Sequence, residues 1–353
     1  MSPSLRFPEF TGEWEYFSIN DVCSEFKSGK NIKADLISSN GNFPVYGGNG
    51  LRGYTSSYNH DGLYVLIGRQ GALCGNVRSV FGKIYITEHA IAVAGNEKSD
   101  TYFLHYLFLK MNLGQYSDQS AQPGLAVNKL LKLKVLLPSI SEQIKIAKLL
   151  SLLDERIAVQ SRLIEDLKKL MCAVSNKLFQ SVKGVVIPLS GISNIVKGKQ
   201  INGDFLADVG EYYVMNGGTE PSGYYDNYNV EANTISISEG GNSCGYVQFN
   251  RMPFWSGGHC YTIQDIVSDV ETLYLYHYLK SKEESIMELR IGTGLPNIQK
   301  KDLAEFKVII PAIEQQRTIS NILSLLERKT EVEGRMLIAM RTEKQYLIHQ
   351  MFI

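Results

Sequence analysis

The chain has 353 residues, a length that suggests two domains of ordinary size, and its 44% apolar content is enough for real cores. Its 36 basic and 36 acidic residues cancel, which excludes a globally positive field of the kind that attracts nucleic acid. The balance shifts along the chain, because residues 183–311 carry 10 basic against 15 acidic residues. Any nucleic-acid surface there must be a local patch.

The segment 1–138 predicts a mainly β lobe. It is rich in Gly, Tyr, Ser and Asn, with short apolar runs such as Tyr64–Ile67 and Lys83–Thr87. Short β-favouring runs separated by Gly and Asn are typical of strands and turns. A more helical stretch is expected at Thr101–Leu113.

Residues 139–182 predict a long helix. Ser139 or Ser141 can cap it after Pro138, and Glu142 suits the positive helix end. From Leu150 to Leu178 the apolar positions are spaced alternately by 3 and 4, which is a heptad seam. A helix of about 42 residues would extend ~60 Å and needs a partner along its length.

A second Gly-, Tyr- and Asn-rich lobe is expected at 183–311, followed by a second long helix at 312–353. This helix has an apolar seam of its own, with polar breaks at Thr330, Glu333 and Lys344. Each helix is the obvious partner of the other, so the sequence predicts an intramolecular coiled coil. The alternative is that each helix packs only on its own lobe.

The two halves of the chain repeat each other. Pro138–Asp154 matches Pro311–Glu327 without gaps at an offset of 173 in the numbering. Looser matches join Gly71–Gly75 to Gly241–Gly245, His89 to His259 and Gly124-Leu125 to Gly294-Leu295 at an offset of 170, and His105–Leu107 to His277–Leu279 at 172. A duplicated framework with diverged residues between the matches suits two related but different ligands.

No catalytic constellation stands out. The chain has no G-x-x-x-x-G-K-[ST] loop, no Asn-Pro-Pro-aromatic element, no G-x-G-x-x-G after a strand and no zinc-ligand spacing. His89 and His259 hint at a base, but their duplicated flanks favour a structural histidine. Cys74 and Cys244 read as small core residues after a tight Gly turn.

The cellular location follows from cysteine usage and hydropathy. The five cysteines show no C-x-x-C spacing, so free thiols in a reducing cytosol are expected. No run of about 18 apolar residues occurs, and the amino terminus leads to no apolar signal core. We therefore expect a soluble cytoplasmic protein without a membrane span.

The chain resembles the specificity subunits of Type I restriction–modification enzymes over essentially its whole length. The resemblance rests on the duplicated lobe–helix–lobe–helix order and on four stretches, which are Leu5–Trp14, Pro138–Leu153, Pro311–Leu326 and Gly292–Ile298. The first lobe departs from the family pattern at one place. It has Gln122–Asn128 where the second lobe has the more family-like run Gly292–Ile298.

The resemblance implies an α+β fold with pseudo-twofold symmetry. Each lobe (1–138 and 183–311) would be a target recognition domain that reads one half of a bipartite double-stranded DNA site. The two helices would pair as an antiparallel coiled coil, set the half-site spacing and dock two methyltransferase subunits. Restriction and translocase subunits would join them. This chain would be non-catalytic and bind no cofactor, since S-adenosylmethionine, ATP and magnesium would belong to the partner subunits.

Gly-rich loops allow close approach to DNA, and a few polar side chains read base edges while phosphate contacts set the register. Arg69-Gln70 aligns with Glu239-Gly240; Arg suits guanine O6 and N7, and Glu can accept from cytosine N4. The two lobes should therefore read different half-sites, which makes the whole target asymmetric. The candidate DNA-binding residues are Lys27, Lys30, Asn49, Arg52, Arg69, Gln70, Gln119, Gln122, Lys197, Lys199, Asn216, Glu239, Asn242, Arg290, Thr293 and Asn297.

Two other functions are compatible with the same features. A non-catalytic scaffold, with two β modules on a coiled-coil stalk, would bind protein or glycan without any dependence on DNA sequence. The 20 tyrosines suit sugar binding. An enzyme that uses His89 and His259 as bases would lose activity when both are replaced by glutamine.

Overall fold

The computed structural model describes residues 3–71, 73–118, 124–292, 294 and 296–353. The fold class is α+β, with the alternation of β lobes and long helices that the sequence predicts. The strands are β1 (Glu15–Ser18), β2 (Cys23–Ser28), β3 (Phe43–Gly47), β4 (Gly50–Thr55), β5 (His60–Gly68), β6 (Val77–Ile86), β7 (Ala90–Gly95), β8 (Lys134–Leu137), β9 (Val185–Pro188), β10 (Asn194–Lys197), β11 (Tyr212–Met215), β12 (Tyr224–Tyr225), β13 (Thr234–Ser238), β14 (Val247–Asn250), β15 (Trp255–Ser256), β16 (Cys260–Gln264) and β17 (Lys307–Ile310). The helices are α1 (Ile19–Val22), α2 (Thr101–Met111), α3 (Val127–Leu130), α4 (Ile140–Ser181), α5 (Thr272–Ser281), α6 (Glu283–Met287), α7 (Lys300–Ala304) and α8 (Ile313–Met351).

The chain forms two compact units. The first unit comprises Met1–Ser161 and Arg335–Ile353, and the second unit comprises Arg162–Gly334. Each unit therefore contains one lobe, the first part of the long helix that follows this lobe and the last part of the other long helix.

A six-stranded sheet dominates the first unit, in the order β2-β7-β5-β6-β3-β4. Its neighbouring strands are antiparallel except for β3 and β6, which run parallel. Gly62 and Gly82 are paired across β5 and β6, with φ angles of +126° and +103°. Only glycine adopts these angles readily, so the backbone conformation of the β5–β6 hairpin at this pair requires glycine. Strands β1 and β8 form a separate antiparallel pair.

The second unit repeats this plan with shorter strands. It contains a four-stranded sheet (β10-β16-β13-β14), a three-stranded sheet (β12-β11-β15) and the pair β17-β9. The register is also repeated: Val65 faces Val93 in the first unit, and Ile235 faces Ile263 in the second. Both residues of the second pair lie 170 positions after their counterparts, which matches the offset seen in the lobe sequences.

Helices α2 and α5 form the centres of the two cores. Asp100 caps α2 by accepting from the Phe103 amide, and Glu271 caps α5 by accepting from the Tyr274 amide. Phe103 and Tyr274 are fully buried, and such burial contributes about 1.5–3 kcal/mol per large apolar side chain. The two caps are related by an offset of 171 in the numbering. The sequence match of His105 with His277 has an offset of 172, one position more than the offset of the caps.

In the first unit, the early part of α4 and the late part of α8 run antiparallel beside the lobe. Ile146 and Leu150 of α4 and Met351 of α8 belong to one core cluster together with α2. Lys344 of α8 forms an ion pair with Asp154 of α4, and Asp154 also accepts a hydrogen bond of 2.9 Å from the Tyr106 hydroxyl.

The second unit has the complementary arrangement. Phe179 of α4 and Ile319 and Leu323 of α8 share one core cluster with the buried side chains of α5. The predicted heptad positions are buried or half-buried along both helices, including the polar residues Gln160 and Glu333. This burial is consistent with pairing of the two long helices along the seam. The same helices pack on the lobes, so the two interpretations of the seam are not exclusive.

Hydropathy places no membrane span in the part of the chain described above. None of its helices combines sufficient length with an apolar enough surface to cross a lipid bilayer.

Candidate nucleic-acid interface

In the first unit, the candidate loops are organised by the turn that follows β5. Gly71 and Gly75 have φ angles of +84° and +87°, a backbone region that side chains disfavour. The Gly75 amide donates to the Gly68 carbonyl at 2.7 Å, and the Cys74 thiol donates to the Arg69 carbonyl at 3.3 Å. The turn therefore returns the chain directly into β6 and presents Arg69 and Gln70 at its edge.

Three further segments meet at this turn. The Arg69 amide donates to the His89 carbonyl at 2.9 Å, and the Arg69 carbonyl accepts from the Leu125 amide at 2.9 Å. A Cβ atom built on Gly48 would lie 2.8 Å from the His89 carbonyl oxygen, so only glycine permits this approach of the β3–β4 turn. We call this group of segments the first loop cluster, defined by Gly48, Arg69-Gln70, His89 and Gly124.

The candidate side chains in and around the first loop cluster differ in their exposure and in their contacts within the chain. Arg69 is half-buried, with Nη1 3.5 Å from the Glu88 carbonyl oxygen, whereas Gln70 is exposed and its Oε1 lies 2.9 Å from His89 Nδ1. Lys27 is exposed, and its Nζ lies 3.1 Å from Glu25 Oε1. The remaining candidates that the structure describes here are all exposed, namely Lys30, Asn49 and Arg52.

Arg78, at the start of β6, escaped the sequence analysis. A Cβ atom on Gly50 would lie 2.3 Å from Arg78 Nη1, so the guanidinium group lies against the glycine of the β3–β4 turn. Gly50 has a φ angle of +101°. No short motif indicates Arg78, because its position beside Gly50 depends on the pairing of strands that are distant in the sequence. The signal that could have suggested it is a basic residue that follows a Gly turn, and it is exposed in the structure.

The second unit contains the same backbone arrangement. The Glu239 amide donates to the His259 carbonyl at 2.9 Å, the Gly245 amide donates to the Ser238 carbonyl at 2.8 Å, and the Cys244 thiol donates to the Glu239 carbonyl at 2.9 Å. Gly241 and Gly245, with φ angles of +77° and +93°, repeat the glycine turn. The second loop cluster is defined by Asn216-Gly217, Glu239-Gly240, His259 and Asn297.

One predicted correspondence between the lobes is wrong. The Leu125 amide donates to the Arg69 carbonyl, and the Ile298 amide donates to the Glu239 carbonyl, both at 2.9 Å. Gly124 also forms an isolated antiparallel β-bridge with Gln70, and Asn297 forms one with Gly240. Gly124-Leu125 therefore corresponds to Asn297-Ile298, at the offset of 173 found in the long helices, and not to Gly294-Leu295. The sequence comparison aligned Gly124-Leu125 with Gly294-Leu295 because both segments contain Gly-Leu. The backbone hydrogen bonds show which residues are structurally equivalent.

The side chains of the second loop cluster differ from those of the first. Glu239 is only 8% exposed, and its Oε1 accepts from Lys197 Nζ at 2.6 Å and from the Tyr261 hydroxyl at 3.1 Å. Burial and then the Glu239 charge raise the pKa of Tyr261. Asn216 Oδ1 accepts from the His259 amide at 3.2 Å. Lys197 and Glu239 thus have partners within the chain, which a direct DNA contact would have to replace.

The other candidates of the second unit divide by exposure. Asn297 is half-buried, and its Oδ1 accepts from the side-chain Nε2 of Gln299 at 2.7 Å. Lys199, Asn242 and Arg290 are exposed. The candidates Gln119, Gln122 and Thr293 lie outside the described residues.

Two cysteines and two histidines repeat between the lobes, and each of them helps to form the loop clusters. Cys244 is fully buried and Cys74 half-buried, as expected for small residues behind the glycine turns. The carbonyls of His89 and His259 fix the loop clusters, while their side chains remain 45% and 63% exposed. The expected structural role therefore resides in the backbone, and both imidazoles face the surface.

Comparison with known proteins accords with this duplicated architecture. Residues 11–169 and 182–339 each match the Type I restriction modification DNA specificity domain. The chain is 45% identical to the Type I restriction enzyme EcoprrI specificity subunit of Escherichia coli over 154 residues, which are 42% of this chain and 38% of that subunit. It is 31% identical to a Mycoplasma pneumoniae specificity subunit over 46% of this chain and 44% of the other. These alignments span less than half the length of either relative.

A longer alignment joins the chain to a Haemophilus influenzae specificity subunit at 24% identity, over 95% of this chain and 93% of the other. The fold is similar to that of the Type-I restriction-modification S subunit from M. genitalium, with a TM-score of 0.81 at 22% identity, covering 100% of this chain and 99% of that one. Because both halves of the sequence match the same domain, the chain belongs to the Type I restriction modification DNA specificity family.

Proposed function

We propose that this chain is the DNA-recognition subunit of a Type I restriction–modification complex, with each lobe reading one half of a bipartite, asymmetric site. The observation that carries the proposal is the pair of loop clusters. Their backbones make matching hydrogen bonds, whereas the side chains at the matched positions differ, with Arg69-Gln70 in one and Glu239-Gly240 in the other. A common scaffold with different side chains favours recognition of two different half-sites.

We also propose that the long helices dock two methyltransferase subunits. Each helix carries an exposed apolar stripe, and the two stripes correspond at the same offset of 173 that relates the helix sequences. Their members are Leu149, Leu152 and Val159 on α4, and Ile322, Leu325 and Val332 on α8, with exposed fractions between 37% and 67%. Exposed apolar surface of this kind supports a protein-binding role, and its duplication favours two copies of one partner.

In this proposal, the chain itself performs no chemistry. Methyl transfer from S-adenosylmethionine, and ATP- and magnesium-dependent translocation and cleavage, belong to the partner subunits. The balanced charge supports weak DNA binding by the isolated chain, because release of counterions from phosphate contacts drives affinity. The partners would supply the additional positive surface.

The test is to co-express the chain with the methyltransferase subunit of its own system and to map adenine methylation across the host genome. One asymmetric motif, with two short specific halves around a fixed gap, is expected. A palindromic motif would contradict the assignment of different half-sites to the two lobes. Failure to form any complex with the methyltransferase would favour the protein- or glycan-binding scaffold.

The docking surface is tested separately with Leu152→Asp and Leu325→Asp. Each change should weaken co-purification of the methyltransferase, and the double variant should abolish it, because a carboxylate would be buried in an apolar contact. Phe81→Asp is the matched control, since Phe81 is 78% exposed but lies on β6 rather than on a long helix. Unchanged co-purification by the double variant would remove the stripes from the interface.

A further inference from the structure

His259 is the most exposed side chain at the centre of the second loop cluster, yet its backbone is fixed on both sides. Its amide donates to Asn216 Oδ1 at 3.2 Å, and its carbonyl accepts from the Glu239 amide at 2.9 Å. The side chain is 63% exposed. A side chain that extends into solvent from a rigid backbone is preorganised to contact a ligand.

Two glycines leave space around this imidazole. A Cβ atom on Gly217 would lie 3.0 Å from His259 Cβ, and Gly217 has a φ angle of +84°. A Cβ atom on Gly240 would lie 3.9 Å from His259 Nδ1. The glycines therefore allow the β13 turn and the segment after β11 to approach the histidine from both sides.

The carboxylate of Glu239 lies behind the ring. Its Oε1 accepts from Lys197 and Tyr261, whereas its buried Oε2 has no hydrogen-bond donor among the described residues and lies 3.7 Å from His259 Nδ1. Leaving a buried acceptor without a donor is costly, so Oε2 favours a hydrogen on the nearest nitrogen. In a neutral imidazole with hydrogen on Nδ1, Nε2 is an acceptor.

The equivalent histidine in the first unit has a different environment. His89 Nδ1 lies 2.9 Å from Gln70 Oε1, and its Nε2 lies 3.2 Å from Glu88 Oε1. Acceptors from within the chain therefore engage both nitrogens of His89. Among the described residues, by contrast, His259 Nε2 has no hydrogen-bond partner and is available for a ligand.

We propose that His259 is a specificity-determining residue of the second unit, with its Nε2 accepting a hydrogen bond from the exocyclic amino group of an adenine or cytosine in the major groove. These amino groups are the donors that the major groove displays. Glu239 is then a positioning residue that orients His259 and does not itself touch the base. The inference rests on the proposed function and names the base chemistry that its second unit reads.

The test uses the complex of the full chain with its methyltransferase, and the DNA of the expression host as the probe. His259→Ala should relax the methylated motif at one position of one half-site, with discrimination there falling about 5- to 150-fold, the equivalent of ~1–3 kcal/mol. His259→Asn keeps a donor near Glu239 but lacks an acceptor at the position of Nε2, so it should relax the same position. His89→Ala is the matched control and should leave that position unchanged.

Glu239→Gln tests the positioning role. It should relax the same base position as His259→Asn, and the double variant should be no more relaxed than His259→Asn alone, because both changes act through one contact. A lower melting temperature with an unchanged motif would show that Glu239 only supports the fold, and would overturn its positioning role.

The outcomes separate this inference from the proposed function. An unchanged motif with both His259 variants would overturn the inference while leaving the proposed function intact. An equal loss of methylation at all sites would make His259 a phosphate contact and would also overturn it. If the unaltered chain forms a stable complex that methylates no specific motif, the proposed function fails and the inference fails with it. Thermal melting of each variant confirms that it is folded.

Discussion

Gln143 and Gln316, at matching positions of the two long helices, make the same three hydrogen bonds in the two units. Each is fully buried in the first turns of its helix. Their Oε1 atoms accept from the backbone amides of Asp100 and Glu271, at 3.0 and 2.8 Å. Each Nε2 donates at 2.9 Å to two carbonyls, those of Pro138 and Lys98 in the first unit and those of Pro311 and Asp269 in the second. Each glutamine thus joins the start of a long helix to the residues that begin α2 or α5.

Replacing either glutamine by alanine should therefore destabilise the unit that contains it. Gln143→Ala and Gln316→Ala each remove the side-chain partner of one part-buried backbone amide and of two carbonyls. We expect each change to lower the free energy of unfolding by about 1–3 kcal/mol. Urea unfolding followed by circular dichroism measures the loss.

Gln315→Ala is the matched control, because Gln315 precedes Gln316 on the same helix and is exposed. It should change the free energy of unfolding by less than about 0.5 kcal/mol. Equal stability of the Gln316→Ala and Gln315→Ala variants would show that water replaces the three hydrogen bonds.

Two buried histidines should make the stability of the chain depend on pH. Burial, the largest cause in each case, lowers the pKa of His105 and of His277 from 6.5 to about 4. The unfolded chain therefore binds more protons than the folded chain between these values. The free energy of unfolding should fall as the pH drops from about 6.5 to about 4, by up to about 1.4 kcal/mol per pH unit for each histidine.

The double variant His105→Gln/His277→Gln isolates this contribution. Between pH 6.5 and 4 its unfolding free energy should decline less steeply than that of the unaltered chain, as measured by urea titrations at several pH values. His349→Gln is the control, since His349 is exposed. The same slope in the double variant and the unaltered chain would assign the pH dependence to other groups.

The sequence predicted the two lobes and the two long helices because these depend on local patterns. Heptad spacing indicates a helix from the local sequence alone, and the heptad positions from Leu150 to Leu178 are indeed buried or half-buried. Gly-rich turns such as Gly71–Gly75 also leave a local signature, because positive φ angles require glycine. The repeat at an offset of 173 carried these assignments from one half of the chain to the other.

Long-range pairing could not be derived from the same patterns. Arg78 reaches Gly50, and Leu125 binds Arg69, through strand and loop contacts that join residues 28 to 56 positions apart. Comparison of the two lobe sequences therefore aligned Gly124-Leu125 with the wrong segment. The burial of Glu239 was also missed, because an acidic residue that precedes a Gly-Gly pair at the end of a strand normally indicates an exposed turn.

Arg69 offers a test of readout in the first unit. Arg69→Ala should relax specificity at one base of one half-site only, by ~1–3 kcal/mol if the arginine contacts guanine O6 and N7 with two hydrogen bonds. The methylated motif of the variant complex measures this, with Arg78→Ala as a comparison at an exposed arginine of the same unit, at the start of β6. A uniform loss of methylation at all sequences would instead identify Arg69 as a phosphate contact.

The length of the long helices provides the last test, because it bears on the spacing of the two half-sites. Helix α4 contains 42 residues, which correspond to about 63 Å at 1.5 Å per residue, and half-sites one helical turn of DNA apart are centred ~35 Å from each other. Removing Arg162–Lys168, one heptad of α4, retains the phase of the seam but shortens this helix by about 10 Å. We expect a shorter gap in the methylated motif or a loss of binding, since α8 would keep its length. Methylation of the original motif with its original gap, at undiminished affinity, would show that the helices do not determine the spacing.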